Sequence, residues 1–202
     1  HPRLRGNMVD CSTINDLASY YISCIKEEMP YREAYFVGHC FGGAVAYEMC
    51  QILEAKSYKS IPVIIDTPVP QESTRNLPAT KWNYAQWVGI VGEVLAKNSG
   101  KIIRIMEDIE GMETRSALDY LKSRLVKAKL YGADIDVKHL RLVVDMLKEL
   151  DLSFINYQPK NTNKPLYFVR AKEMTEMDVL GILASGSSHL YWGWENIAKS
   201  VF

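Results

Sequence analysis

With 202 residues, 48% of them hydrophobic, the chain is long enough to bury a substantial core as one domain. Lys+Arg and Asp+Glu both number 24, so the formal net charge is zero and the basic footprint of a nucleic-acid binder is missing. No apolar run approaches a membrane span and no signal peptide opens the sequence, so neither a membrane nor a nucleic-acid partner is expected.

The four cysteines, Cys11, Cys24, Cys40 and Cys50, form no CxxC pair and have no histidines at metal spacing. They read as reduced thiols of a cytoplasmic protein, three structural and one reactive, with no metal expected. In chain order, Ser12 is positioned to cap a helix that places Ile14, Leu17, Tyr21 and Ile25 on one face and ends by Pro30. A short apolar strand, residues 34–37, leads into Gly38-His39-Cys40-Phe41-Gly42, and a helix is predicted from 41 to about 55.

Strand, Gly-x-nucleophile-x-Gly, helix is the layout of a nucleophile elbow, with Cys40 where a serine usually stands. Glycines on both sides of the nucleophile suit a turn whose strand and helix backbones pass too close for side chains. A phosphate-binding loop would end in Gly-Lys-Ser/Thr or show Gly-x-Gly-x-x-Gly spacing, and neither is present. The bland alternative for Cys40 is a small apolar residue buried at a tight turn.

Ile61-Pro62-Val63-Ile64-Ile65 is a continuous apolar strand stopped by Asp66-Thr67-Pro68, the pattern of a parallel strand buried on both faces. Two such strands joined by a helix make a βαβ unit with a right-handed crossover. Helical spacing then takes over across 82–95, 117–130 and 137–150, before Lys164 to Val169 returns to strand. Three helices between two core strands exceed what a crossover needs, and they read as a lid inserted at about 78–156. The core is then 1–77 with 157–202, and the whole is one α/β domain. Trp82, Tyr84, Trp87, Leu140, Val143 and Val144 are candidates either for lining an apolar channel or for packing the lid's own core.

Residues 35–49, from Tyr35 through Gly38-His39-Cys40-Phe41-Gly42-Gly43 to Met49, resemble the elbow and following helix of thioesterase domains that end polyketide and nonribosomal peptide synthetase assembly lines. Ile64-Ile65-Asp66-Thr67-Pro68 is similar to that family's next strand and acid turn. Asn156-Tyr157-Gln158-Pro159 and residues 166–171 are similar to its turn and strand after the lid. The resemblance implies an α/β-hydrolase fold, a mostly parallel sheet with a helical lid insertion.

It also implies Cys40 as the acyl-accepting nucleophile, Asp66 as the acid that orients a histidine, and the Phe41 backbone N–H as an oxyanion donor. Residues 1–6 resemble the end of an earlier strand, so the chain is expected to be truncated at both ends. The catalytic histidine then lies beyond Phe202 or is His189, which follows Gly186-Ser187-Ser188. The only strand available before His189, residues 179–183, follows the 166–171 strand by about seven residues, short of the dozen that a parallel crossover needs.

By this resemblance the substrate is a polyketide or peptide carried as a thioester on the 4′-phosphopantetheine arm of an acyl or peptidyl carrier protein. No bound cofactor is implied. Cys40 forms the acyl-enzyme, and release is by hydrolysis or cyclisation. The N-terminus of the following helix favours the Cys40 thiolate. The alternatives are a discrete editing thioesterase acting in trans and a hydrolase-fold binding module with a decayed site.

Overall fold

The structure, a computed structural model, describes residues 11–25, 33–70, 78–172 and 190–202. Residues 1–6, the 179–183 segment and His189, singled out above, lie outside the described residues. The described part is an α/β fold with a four-stranded parallel sheet: β1 (Glu33–His39), β2 (Lys59–Ile65), β3 (Thr162–Val169) and β4 (Ala198–Val201), in spatial order β1-β2-β3-β4. Its helices are α1 (Ile14–Ile25), α2 (Phe41–Glu54), α3 (Tyr84–Asn98), α4 (Thr114–Lys127) and α5 (Val137–Asn156).

The start of α1 is set by a reciprocal cap. The Asp16 N–H donates to Thr13 Oγ1 at 3.1 Å, while Asp16 Oδ2 accepts from the Thr13 N–H at 3.1 Å and from its hydroxyl at 2.6 Å. The cap is therefore Thr13 and not Ser12, because only Thr13 has a carboxylate three residues ahead. Asn83 and Gln86 form the same device at α3, placing its first turn two residues beyond Trp82.

The described residues fall into two compact units, residues 78–149 and the residues within 11–70 and 150–202. In the helical unit, Trp87, Val88, Leu121, Leu125, Leu140 and Val144 are buried. Glu93 Oε1 accepts from the backbone N–H groups of Ile105 (2.7 Å) and Met106 (3.0 Å), tying the chain after α3 back onto that helix.

In the α/β unit, α1 packs on α2 through Ile14, Ala18, Ile22, Val45, Met49 and Leu53. Phe154 and Tyr157 pack on this cluster, and α5 continues to Asn156, six residues past the predicted end. A second cluster joins Tyr47 of α2 to Ile64, Leu166 and Trp194 along the sheet.

The expectation that β2 is equally buried on both faces is corrected. Ser60, Pro62 and Ile64 are buried, whereas Ile61, Val63 and Ile65 are only partly so. α2 covers the first face with its apolar side. The opposite face carries Tyr35, Val37, Tyr167 and Val169, which are 41–63% exposed. Register lines these up, with Val37 beside Val63 and Val63 beside Tyr167.

Among the described residues a charged side chain, that of Glu48, lies within this core. Glu48 of α2, 7% exposed, accepts from Tyr157 Oη at 2.7 Å and from Asn15 Nδ2 at 2.8 Å, so α1, α2 and the turn after α5 share one carboxylate. Both donors lose their partner in Glu48→Leu, and urea denaturation should show a loss of about 1–3 kcal/mol. Adding Tyr157→Phe to that variant should recover part of the loss, since an apolar pair leaves fewer buried groups unpartnered.

Candidate active site

β1 and β2 end side by side. His39 is in register with Ile65, and the next residue on each strand is Cys40 and Asp66. The ladder hydrogen bonds continue past the strand ends: the Cys40 N–H donates to the Ile65 carbonyl at 2.9 Å, and the Asp66 N–H donates to the Val169 carbonyl at 3.0 Å. Both residues have positive φ, 52° for Cys40 and 47° for Asp66, a region that side chains with a Cβ rarely adopt. Adjacent strands lie roughly 5 Å apart, so the two side chains start from neighbouring points on the carboxyl edge of the sheet.

Cys40 has ψ −129° and immediately precedes α2, so the chain reverses from strand to helix over a single residue. Gly38 makes that reversal possible: a Cβ there would lie 2.0 Å from the Gly42 carbonyl oxygen and 2.6 Å from the Gly43 nitrogen. The second close approach is at Gly43 and not at Gly42, which corrects the expectation from the pentapeptide. A Cβ on Gly42 meets nothing within 4 Å, whereas one on Gly43 would lie 2.2 Å from Thr67 Oγ1. Position 42 faces outward on the first turn of α2, and position 43 faces the chain leaving β2.

Cys40 is exposed. As the first residue of α2, Phe41 has one of the backbone N–H groups that no intrahelical carbonyl can accept from, beside the positive end of the helix dipole. Asp66 is half-buried, and its Oδ1 accepts from the Ala171 N–H at 2.6 Å, anchoring the carboxylate to the segment that leaves β3. The structure thus brings Cys40, Phe41 and Asp66 to one edge. Of the two histidines among the described residues, His39 is an exposed part of the elbow and His139 is exposed on α5 of the helical unit.

Thr67 and Trp194, to which the sequence assigns no site role, are built into this edge. Thr67 is fully buried; its hydroxyl donates to the Cys40 carbonyl at 2.6 Å, and its own carbonyl accepts from Trp194 Nε1 at 2.7 Å. Trp194 is also fully buried and packs against Tyr47 of α2, with ring centroids 4.9 Å apart. In the sequence Thr67 stands only as one of the residues that stop the β2 strand. Its small size opposite a Gly-Gly pair was the one available signal.

The other thiols differ sharply. Cys11 and Cys50 are buried, and burial pushes the Cys50 thiol up to about 12. Cys24 is exposed, so accessibility alone does not single out Cys40 as the one reactive cysteine. Trp87, Leu140 and Val144, candidates for a channel wall, are at most 1% exposed within the helical unit and belong to its core. Among the described residues no cluster of three or more metal-ligating side chains occurs, and no helix is long and apolar enough to cross a membrane.

The α/β fold thus sets a strained strand-to-helix turn at Cys40 beside a carboxylate at the end of the next strand. Residues 2–129 match the thioesterase domain family, and the chain belongs to that family. Among solved structures it is similar to the holo form of AB3403, a four-domain nonribosomal peptide synthetase bound to AMP and glycine, with a TM-score of 0.79 and 22% identity over 95% of this chain. It is also similar to the wild-type Vlm2 thioesterase domain, with a TM-score of 0.52 and 17% identity over 97% of this chain. The Vlm2 domain with genetically encoded 2,3-diaminopropionic acid bound with a dodecadepsipeptide gives 0.51 and 17% over 93%. At these identities the likeness is one of fold. The chain spans 14% of the length of the synthetase and 64–68% of the Vlm2 chains.

Two measurements check this description. Timed alkylation of the folded chain with iodoacetamide, read by peptide mass spectrometry, should label Cys40 at least about tenfold faster than Cys24, with Cys11 and Cys50 reacting only after unfolding. Gly42→Ala should change stability by less than about 0.5 kcal/mol, while Gly38→Ala should cost more than about 3 kcal/mol or prevent folding.

Proposed function

We propose that the chain is a chain-releasing thioesterase of the polyketide or nonribosomal peptide type, working through a Cys40 acyl-enzyme. The observation that carries this reading is the strained elbow at Cys40 set beside Asp66, with Phe41 as the first residue of the following helix. Family membership supports thioester chemistry. The depsipeptide bound to the Vlm2 domain makes peptide-like acyl chains a reasonable substrate class to test.

The substrate carbonyl arrives as a thioester on the 4′-phosphopantetheine arm of an acyl or peptidyl carrier protein. The Cys40 thiolate attacks that carbon, and the developing oxyanion is held by the Phe41 N–H. Collapse breaks the bond to the pantetheine sulfur, which leaves as a thiol with the proton taken from Cys40. The acyl group is then on Cys40 Sγ. Water or an internal hydroxyl or amine attacks in turn, Cys40 leaves as thiolate, and the product is an acid or a ring.

Asp66 serves by orienting a histidine that carries these protons; no described residue is assigned that role. Because loading exchanges one thioester for another, it is close to balanced and preserves the reactivity of the acyl group. Residues 78–149, which fall in sequence between β2 and β3, act in this reading as the lid over the acyl chain.

Incubation with an acyl-pantetheine thioester followed by intact-protein mass measurement tests the reading. A single acyl adduct is expected, absent in Cys40→Ala. An adduct that persists in Cys40→Ala would overturn the assignment. A Cys40 that alkylates no faster than Cys24 and takes up no acyl group would favour a binding module instead.

A further inference from the structure

We infer that Thr67 is a positioning residue for the oxyanion donor: its hydroxyl holds the Cys40 carbonyl and so aims the Phe41 N–H of the same peptide. This deepens the proposed function and rests on its assignment of Cys40 and Phe41.

The Cys40 carbonyl oxygen has two donors, the Gly43 N–H at 2.9 Å and the Thr67 hydroxyl at 2.6 Å. Thr67 Oγ1 also lies 3.0 Å from the Ile65 carbonyl, but a hydroxyl has one proton to give, and the shorter contact takes it. In a planar trans peptide the C=O and N–H point in opposite directions. Fixing the oxygen of the Cys40–Phe41 peptide therefore fixes the direction of the Phe41 N–H on its far side.

The hold matters because Cys40 has a backbone conformation, φ 52° and ψ −129°, that local preference does not maintain. The Gly43 N–H, on the first turn of α2, moves with the helix. Thr67 is the donor that comes from the segment leaving β2 and sets the peptide relative to the sheet.

Thr67 is itself held from three sides. It is 0% exposed, it follows Asp66 directly, and its carbonyl accepts from the buried Trp194 Nε1 at 2.7 Å. Gly43 has no Cβ where Thr67 sits, so the hydroxyl reaches the turn unobstructed. The same residue thus joins the strand end that carries the acid to the peptide that carries the oxyanion donor.

The test compares two chemistries at one sulfur. Acyl transfer from an acyl-pantetheine thioester passes through an oxyanion, whereas alkylation by iodoacetamide does not. Thr67→Ala should slow acylation of Cys40 at saturating thioester at least about tenfold while leaving alkylation within about twofold, and Thr67→Ser, which restores only the hydroxyl, should recover acylation. Thr67→Val, which fills the volume without a donor, is the second variant and should match Thr67→Ala. Circular dichroism and urea denaturation establish that each is folded.

Equal acylation by wild type and Thr67→Ala overturns the inference. So does a parallel loss of acylation and alkylation, or a failure of serine to rescue, because either marks a role in folding the elbow alone. If the wild-type chain takes up no acyl group while Cys40 alkylates rapidly, the proposed function fails instead, and the Thr67 assignment falls with it.

Discussion

The reversal from β1 into α2 depends on backbone passing against backbone with no side chain between. Gly38 lies where any Cβ would collide with the Gly42 carbonyl, and Gly43 lies where one would collide with Thr67. Those two contacts let a strand end, a strained residue and a helix start occupy consecutive positions. Everything proposed for the site follows from that compression. The thiol is lifted to the sheet edge, the first helical N–H is next to it, and the helix dipole points at both.

The second organising feature is convergence of distant segments on the same edge. Asp66 is tied to Ala171, Val69 to Trp192, and Thr67 to both Cys40 and Trp194. The segment around Trp194 is over a hundred residues from Thr67 in sequence. These bonds are buried or half-buried and join polar groups that would otherwise be costly to remove from water. Edge geometry is therefore maintained by tertiary hydrogen bonds rather than by the conformational preferences of the residues themselves. Tyr47 adds to this from the helix side, packing on Trp194 and donating its hydroxyl to the Lys160 carbonyl at 2.6 Å.

Much of the molecule was legible because its signals are local. The elbow is announced within five residues, since its glycines, nucleophile and flanking periodicities all report on the same short turn. The α3–α5 helices were recognisable from apolar spacing; α3 starts two residues later than that spacing suggests, at the Asn83 cap, and α4 three residues earlier, at Thr114, where no side chain caps it. Thr13 outcompetes Ser12 because Asp16 stands three residues from it, a difference of a single position in the sequence. The uneven burial of β2 was not legible. An apolar strand looks the same whether both its faces are covered or one carries exposed Val37 and Tyr167 neighbours.

The sequence by itself determined the turn at Cys40, the order of strands and helices and the identity of the candidate nucleophile, because each rests on contacts within a few residues. Tertiary structure alone decided which of the glycines after Cys40 is indispensable and that Thr67 bonds the turn. Those outcomes depend on register between strands that the chain separates by a helix, and register is set by packing across the whole sheet. A hydroxyl on Thr67 has no meaning in the linear sequence until β2 is aligned with β1.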